Sequence, residues 1–169
     1  MIAALTGFMA SGKTTFGRAA ARRLGWAFVD LDEWIAARFG TPAEIFASRG
    51  EAAFRQIETS QLDAVLHTAQ DTVLALGGGT ILRQENLRLI RERATLIWLD
   101  TDFEIILSEL DGAERPLVRG KSLAQIRALY DSRRPLYAEA ADLRFPVTQR
   151  DYGKVIEDLA DAIRTIPSL

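Results

Sequence analysis

The 169-residue chain contains no cysteine and a single histidine, His67. Without cysteine there can be no disulfide, no thiolate zinc site and no sulfur nucleophile, and the composition fits a reducing cytoplasm. One histidine cannot build a histidine-based metal site. His67 falls in a helical stretch with no acid, base or ligand constellation around it, so a surface or boundary position is expected. No apolar run approaches the roughly 18 residues that a membrane span needs. Neither sign of charge dominates: 21 basic residues stand against 23 acidic ones, a net charge of −2. That leaves no single-sign field to attract nucleic acid or an anionic membrane. There is no internal repeat, low-complexity tract or linker. The N-terminus runs straight into a strand-like segment without the charged and apolar regions of a signal peptide. The expectation is a cytoplasmic, monomeric, single-domain protein over residues 1–169 that acts on small molecules.

What the chain does have begins at Gly7. Residues 7 to 14 read Gly-Phe-Met-Ala-Ser-Gly-Lys-Thr, which fits the phosphate-cradling pattern G-x-x-x-x-G-K-[ST]. The apolar Ile2 to Thr6 precedes it and a good helix sequence, Thr15 to Leu24, follows it. A nucleoside triphosphate is a dense cluster of negative charge. Backbone amides at a helix start, and the positive end of the helix dipole, can hold it. Gly7 and Gly12 let the chain curl with amides pointing inward. Lys13 then reaches the β- and γ-phosphates of ATP, and Thr14 offers a hydroxyl to Mg²⁺.

Short apolar runs alternate with longer amphipathic segments. Candidate strands are Ile2 to Thr6, Ala27 to Asp30, Thr72 to Leu76, Thr95 to Leu99 and Arg144 to Val147. Helical periodicity fills Lys13 to Leu24, Asp32 to Phe39, Glu51 to Thr68, Gln84 to Arg93, Phe103 to Leu110, Leu123 to Ala138 and Tyr152 to Thr165. Thr41-Pro42-Ala43-Glu44 and Ser122-Leu123-Ala124-Gln125 are capping boxes that mark further helix starts. The alternation predicts an α/β fold: a five-stranded parallel sheet with helices on both faces. Ligands in such folds sit beyond the carboxyl ends of the strands, where the polar and glycine motifs fall.

Asp30-Leu31-Asp32 follows the second strand. Two carboxylates two apart on extended chain point the same way, so one could help hold Mg²⁺ and the other orient a hydroxyl, although Asp at a strand end also caps helices. Glu51-Ala-Ala-Phe54-Arg55-Gln-Ile-Glu58 opens a long helix. Gly77-Gly78-Gly79 ends the third strand, allowing either close ligand approach or a tight turn. Residues 111 to 121 are polar, hold two glycines and carry Arg115, Arg119 and Lys121; they read as a lid that could close over phosphates. Arg133-Arg134-Pro135-Leu136-Tyr137 places a proline inside a helical pattern, suggesting a bend.

As a set, these motifs resemble the shikimate kinases, small-molecule kinases of the P-loop kinase fold. The family pattern is G-x-M-x-x-G-K-[ST], D-x-D after strand two, G-E-x-x-F-R-x-x-E, G-G-G after strand three, R-P-L in the lid and R-x-P-L-Y. The chain carries all six in order over residues 7 to 137. The resemblance implies an ATP- and Mg²⁺-dependent transfer of phosphate to a hydroxyl of shikimate, giving shikimate 3-phosphate. It implies catalytic roles for Lys13, Asp32 and Arg115, and ATP binding by Gly7, Ala10, Ser11, Gly12, Lys13, Thr14, Thr15 and Arg115. Thr14 and Asp30 would serve the metal. Asp32, Arg55, Gly77, Gly78, Gly79 and Arg133 would contact substrate within a pocket that Phe46, Phe54 and Glu58 shape, mostly in the segment 32–60. The two arginines would hold the substrate carboxylate.

The chain departs from the pattern in places. The Gly40–Phe46 stretch is one residue shorter than the family's, and Pro42 stands near a usual aliphatic contact. Ser108 occupies the position of an adenine-stacking arginine, and Tyr152 is a candidate ring near the base. Trp34 lies two residues beyond Asp32, within reach of the pocket wall, whereas Trp26 and Trp98 read as core or boundary residues. Two other readings remain: a related P-loop kinase for another small polyol acid such as gluconate, and a non-catalytic effector-binding module.

Overall fold

A computed structural model describes residues 1–110, 120–148 and 151–167. Five parallel strands form one sheet in the order β2-β3-β1-β4-β5. They are β1 (Ile2–Thr6), β2 (Ala27–Asp30), β3 (Thr72–Ala75), β4 (Thr95–Thr101) and β5 (Leu143–Val147). Among the described residues seven α-helices accompany them: α1 (Lys13–Leu24), α2 (Leu31–Phe39), α3 (Pro42–Thr68), α4 (Gln84–Arg93), α5 (Phe103–Leu110), α6 (Leu123–Ala140) and α7 (Tyr152–Arg164). The central strands β1, β3 and β4 are almost wholly buried, as apolar runs covered on both faces must be. Their side chains alternate between two cores. Ile2, Ala4, Leu74, Leu96 and Trp98 face the core under α2, α3, α4 and α6. Ala3, Leu5, Val73, Ile97 and Leu99 face the core under α1 and α7. Helices therefore cover both faces of the sheet. The edge strand β5 buries Val147 but exposes Arg144 and Pro146.

Local signals act as the sequence indicates. Thr41 and Glu44 exchange capping hydrogen bonds of 3.3 and 2.7 Å, and Ser122 and Gln125 do so at 3.3 and 2.8 Å. Helix α3 starts at the first of these caps and bends at Gly50, where φ is 82°. Pro135 sits inside α6, which continues through it to Ala140. His67 is a surface residue that links two helices: Nδ1 meets the Asp63 carbonyl and Nε2 meets Arg93 Nη2, both at 2.9 Å. Together α2, the two limbs of α3 and the β3–α4 connection bring the second, third and fourth motifs to the same sheet edge as the Gly7–Thr14 loop.

Candidate active site

The loop from β1 to α1 forms a pocket of backbone amides. Gly12 caps α1 with φ 92°, a conformation that costs an L-residue. A Cβ on Gly12 would lie 2.2 Å from the Phe16 ring, so neither the backbone nor the space admits a side chain. The Ser11 carbonyl accepts the Thr101 hydroxyl at 2.9 Å, which pins the loop to the end of β4. Lys13 Nζ donates to the carbonyls of Gly7 and Phe8 at 2.9 and 2.8 Å, folding its ammonium back over the loop. No acidic residue stands in the first turn of α1. Free helix amides, the helix dipole and a lysine thus converge where an anion can sit. Ala10 adopts φ 59° at the loop's tip, and Thr15 is exposed at its rim.

Asp30 does two jobs. Its Oδ1 caps α2 by accepting the amides of Asp32 and Glu33 at 3.0 and 3.2 Å. Its Oδ2 accepts the Thr14 hydroxyl at 2.6 Å. Asp32 is not on extended chain, as the motif alone suggests; it stands in the first turn of α2, because the Asp30 cap starts the helix at Leu31. The two carboxylates still interact. Burial, then the charges of Asp30 and Glu58, raise the Asp32 carboxyl from 3.8 to about 6, while Lys13 and Arg55 oppose the rise. Those five groups come from four elements, so Asp32 lies where the phosphate loop and the arginine-bearing helix meet.

On the far side, Arg55 Nη1 donates to Glu58 Oε2 at 2.9 Å. Glu58 is buried, and its Oε1 accepts the Thr80 hydroxyl at 2.8 Å, so the arginine is aimed by a carboxylate that is itself held. Phe54 stacks on Phe46 with centroids 4.8 Å apart, and Arg55 lies over the Phe54 ring at 5.2 Å. The triple glycine threads between these groups. A Cβ on Gly77 would come within 3.2 Å of Asp32 Oδ1, one on Gly78 within 3.4 Å of the Gly7 carbonyl, and one on Gly79 within 3.1 Å of Arg55 Nη2. The Gly78 carbonyl accepts the Tyr137 hydroxyl at 2.7 Å. Burial pushes that phenol up to about 12, with the Arg133 charge pulling the other way; Arg133 stands one helical turn before Tyr137, on the same side of α6. The Arg133 side chain has no hydrogen bond or ion pair to another described residue. A phosphate cradle, a carboxylate titrating near neutrality and two arginines therefore surround one space, suited to joining a polyphosphate to an anionic hydroxyl compound.

A family model described as shikimate kinase matches residues 9–164. The chain belongs to the shikimate kinase family. It is 40% identical over 163 residues to a shikimate kinase of Moorella thermoacetica, an alignment that covers 95% of this chain and 92% of that one. It is 39% identical over 165 residues to a shikimate kinase of Symbiobacterium thermophilum, covering 95% and 94%. The solved structure of shikimate kinase from Acinetobacter baumannii in complex with shikimate superposes with a TM-score of 0.88 at 32% identity, covering 97% of this chain and 93% of that one. The five-stranded parallel sheet with its loop at Gly7–Thr14 is thus the P-loop kinase fold of shikimate kinases.

Of the residues that the sequence motifs point to, Gly7 to Thr15, Asp30, Asp32, Phe46, Phe54, Arg55, Glu58, Gly77 to Gly79 and Arg133 fall on the elements that meet here. Arg115, with residues 111–119 of the expected lid, lies outside the described residues. Trp34 Nε1 donates to Gln61 Oε1 at 3.1 Å, joining α2 to α3, and Arg38 of the same helix stacks on its ring at 3.6 Å. Ser108 bonds its hydroxyl to the Ile105 carbonyl at 2.8 Å. Tyr152 packs edge-on against Phe16 at 5.3 Å, and its hydroxyl meets Glu109. Motif reading misses Thr80, Thr101 and Tyr130, which brace Glu58, the Ser11 carbonyl and the Thr101 carbonyl, and Asp100, which pairs with Arg134 and Arg144. Their only signal in the sequence is a polar residue at the carboxyl end of a buried strand or on a helix face that otherwise reads as core. No described helix is long and apolar enough to cross a membrane.

Proposed function

We propose that this shikimate kinase family member transfers the γ-phosphoryl group of ATP to the 3-hydroxyl of shikimate, giving ADP and shikimate 3-phosphate. One observation carries the reading: Asp32, in the first turn of α2 with its carboxylate against the Gly77 turn, stands between the charges of Lys13 in the phosphate loop and Arg55 on the opposite wall. The γ-phosphorus then meets the hydroxyl beside that carboxylate. Backbone amides of residues 7–14 and Lys13 hold the triphosphate. Arg55 and Arg133 take the substrate carboxylate, which fits the forked donors of guanidinium. The glycines at 77–79 let the ring lie against backbone. The hydroxyl oxygen bonds to the γ-phosphorus as its bond to the β–γ bridging oxygen breaks, and Asp32 receives the hydroxyl proton. Arg115, in the segment expected to act as a lid, stabilises charge on the transferred group.

The Thr14 hydroxyl and the Asp30 carboxylate, 2.6 Å apart, are the hard oxygen donors that Mg²⁺ prefers. They fit the ion: Thr14 would bind it directly and Asp30 through water. When bound it would neutralise charge on the phosphates. The test is ADP release coupled to NADH oxidation, with shikimate and gluconate as acceptors. Shikimate-dependent release with little response to gluconate is expected. Shikimate binding without turnover would mark an effector module instead, and preference for gluconate would mark a different polyol-acid kinase.

A further inference from the structure

The carboxyl end of β4 carries a cluster that phosphoryl transfer leaves unused. Asp100 is only 5% exposed. Its Oδ2 accepts Arg134 Nη2 at 2.7 Å and Arg144 Nε at 2.8 Å, and Arg144 Nη2 forms an ion pair with it at 2.6 Å. Arg144 comes from the adjoining strand β5 and Arg134 from α6. Both guanidiniums lie 5.6 Å from the Trp98 ring. A dry carboxylate is costly unless paired, but Arg144 already pairs it through one hydrogen bond and an ion-pair contact. The second arginine therefore ties α6 to the sheet beyond what neutralisation needs.

Helical positions advance about 100° per residue, which fixes what that tie does. Tyr130 and Tyr137 point into the fold, donating their hydroxyls to the carbonyls of Thr101 at 2.9 Å and Gly78 at 2.7 Å. By the helix repeat, Arg134 stands on one flank of that inward face and Arg133 on the other. A roll of α6 by about 10° would sweep a group about 6 Å from the axis through roughly 1 Å. Displacements of that size matter for a charged clamp. The buried rings of Tyr130 and Tyr137 hold α6 against the core, and the Arg134–Asp100 tie adds an off-centre restraint on its roll.

We infer that Asp100 is a positioning residue: through Arg134 it fixes the roll of α6 and so aims Arg133 into the acceptor site. This rests on the proposed role of Arg133 in holding the substrate carboxylate. The experiment is calorimetric titration of shikimate and of ADP into wild type, Asp100→Asn, Arg133→Ala and the double variant. Asp100→Asn should weaken shikimate about 5- to 20-fold while ADP stays within twofold, and the loss should shrink below twofold in the Arg133→Ala background. Arg134→Met cuts the tie yet leaves Asp100 paired with Arg144, so it should fold and show the same selective loss even where Asp100→Asn does not fold. Equal losses in both backgrounds, equal losses for both ligands, or unchanged shikimate affinity in Arg134→Met would each overturn the inference while leaving the substrate assignment intact. Failure of the wild type to bind shikimate would overturn both.

Discussion

Replacing Asp32 by Asn should stabilise the protein and cripple it. In the unfolded chain this carboxyl titrates at 3.8; in the fold it titrates at about 6, chiefly because it is buried and secondarily because Asp30 and Glu58 repel its charge. The folded state therefore holds the proton more tightly, and stability falls as pH rises from about 4 to about 6. Each tenfold gain in proton affinity corresponds to about 1.36 kcal/mol, so above pH 7 the ionised Asp32 costs up to about 3 kcal/mol. At pH 4 about 0.6 kcal/mol of that cost remains. Asn keeps the shape and removes the charge, so the stability gain of the variant over wild type should grow by about 2 kcal/mol between pH 4 and pH 8. Urea unfolding of both proteins at the two pH values measures this difference, and comparing the two pH values cancels any effect of the amide itself. Single-turnover phosphoryl transfer at saturating shikimate should fall by about 10²-fold or more, as loss of a general base does. A stability difference independent of pH would show that Asp32 is not strained in the fold. Wild-type single-turnover rates in the variant would leave Asp32 a binding role only.

The other predictions concern the two walls of the site. Lys13→Met should lower kcat/KM by at least about 100-fold, equivalent to roughly 2.7 kcal/mol, and steady-state kinetics with near-normal turnover would end the phosphate-loop assignment. Arg55→Ala should weaken shikimate by roughly 1.5–3 kcal/mol in calorimetric titration with much less effect on ATP, and the reverse pattern would mean that the two walls are exchanged. Gly12→Ala must push a Cβ against the Phe16 ring, 2.2 Å away, in a backbone conformation L-residues avoid; a clear loss of thermal stability together with ATP binding is expected, and a variant with the wild-type melting temperature would contradict the packing described.

How much of the fold and site is legible in the sequence follows the range of the forces involved. Strand and helix positions are readable because burial periodicity and caps are local: Thr41 with Glu44, and Ser122 with Gln125, announce helices within four residues. The glycine and P-loop motifs are legible for the same reason, since backbone shape and ligand chemistry are written contiguously. The D-x-D spacing puts Asp32 at the right sheet edge but on the wrong kind of backbone, because Asp30 acts as a cap and draws α2 back to Leu31. What no local pattern shows is long-range pairing. Glu58 meets Thr80 across 22 positions, Thr101 meets Ser11 across 90, and Arg144 meets Asp100 across 44. The raised Asp32 carboxyl is equally hidden, since it depends on which distant groups surround it.

Among the described residues β5 is the outermost strand on its side of the sheet, which has a consequence for how this protein behaves when crowded with copies of itself. A sheet edge with open amides and carbonyls invites another strand to dock, unless charge or proline blunts it. Here the outermost strand turns a charged Arg144 and a proline toward solvent. Pro146 has no amide hydrogen to give, and Arg144 is held by Asp100 of the neighbouring strand, so its charge stays at the margin. The ion cluster that aims a substrate-binding arginine thus also guards that side of the sheet against self-association. Arg144→Val would be the substitution most apt to turn a well-behaved surface into a sticky one.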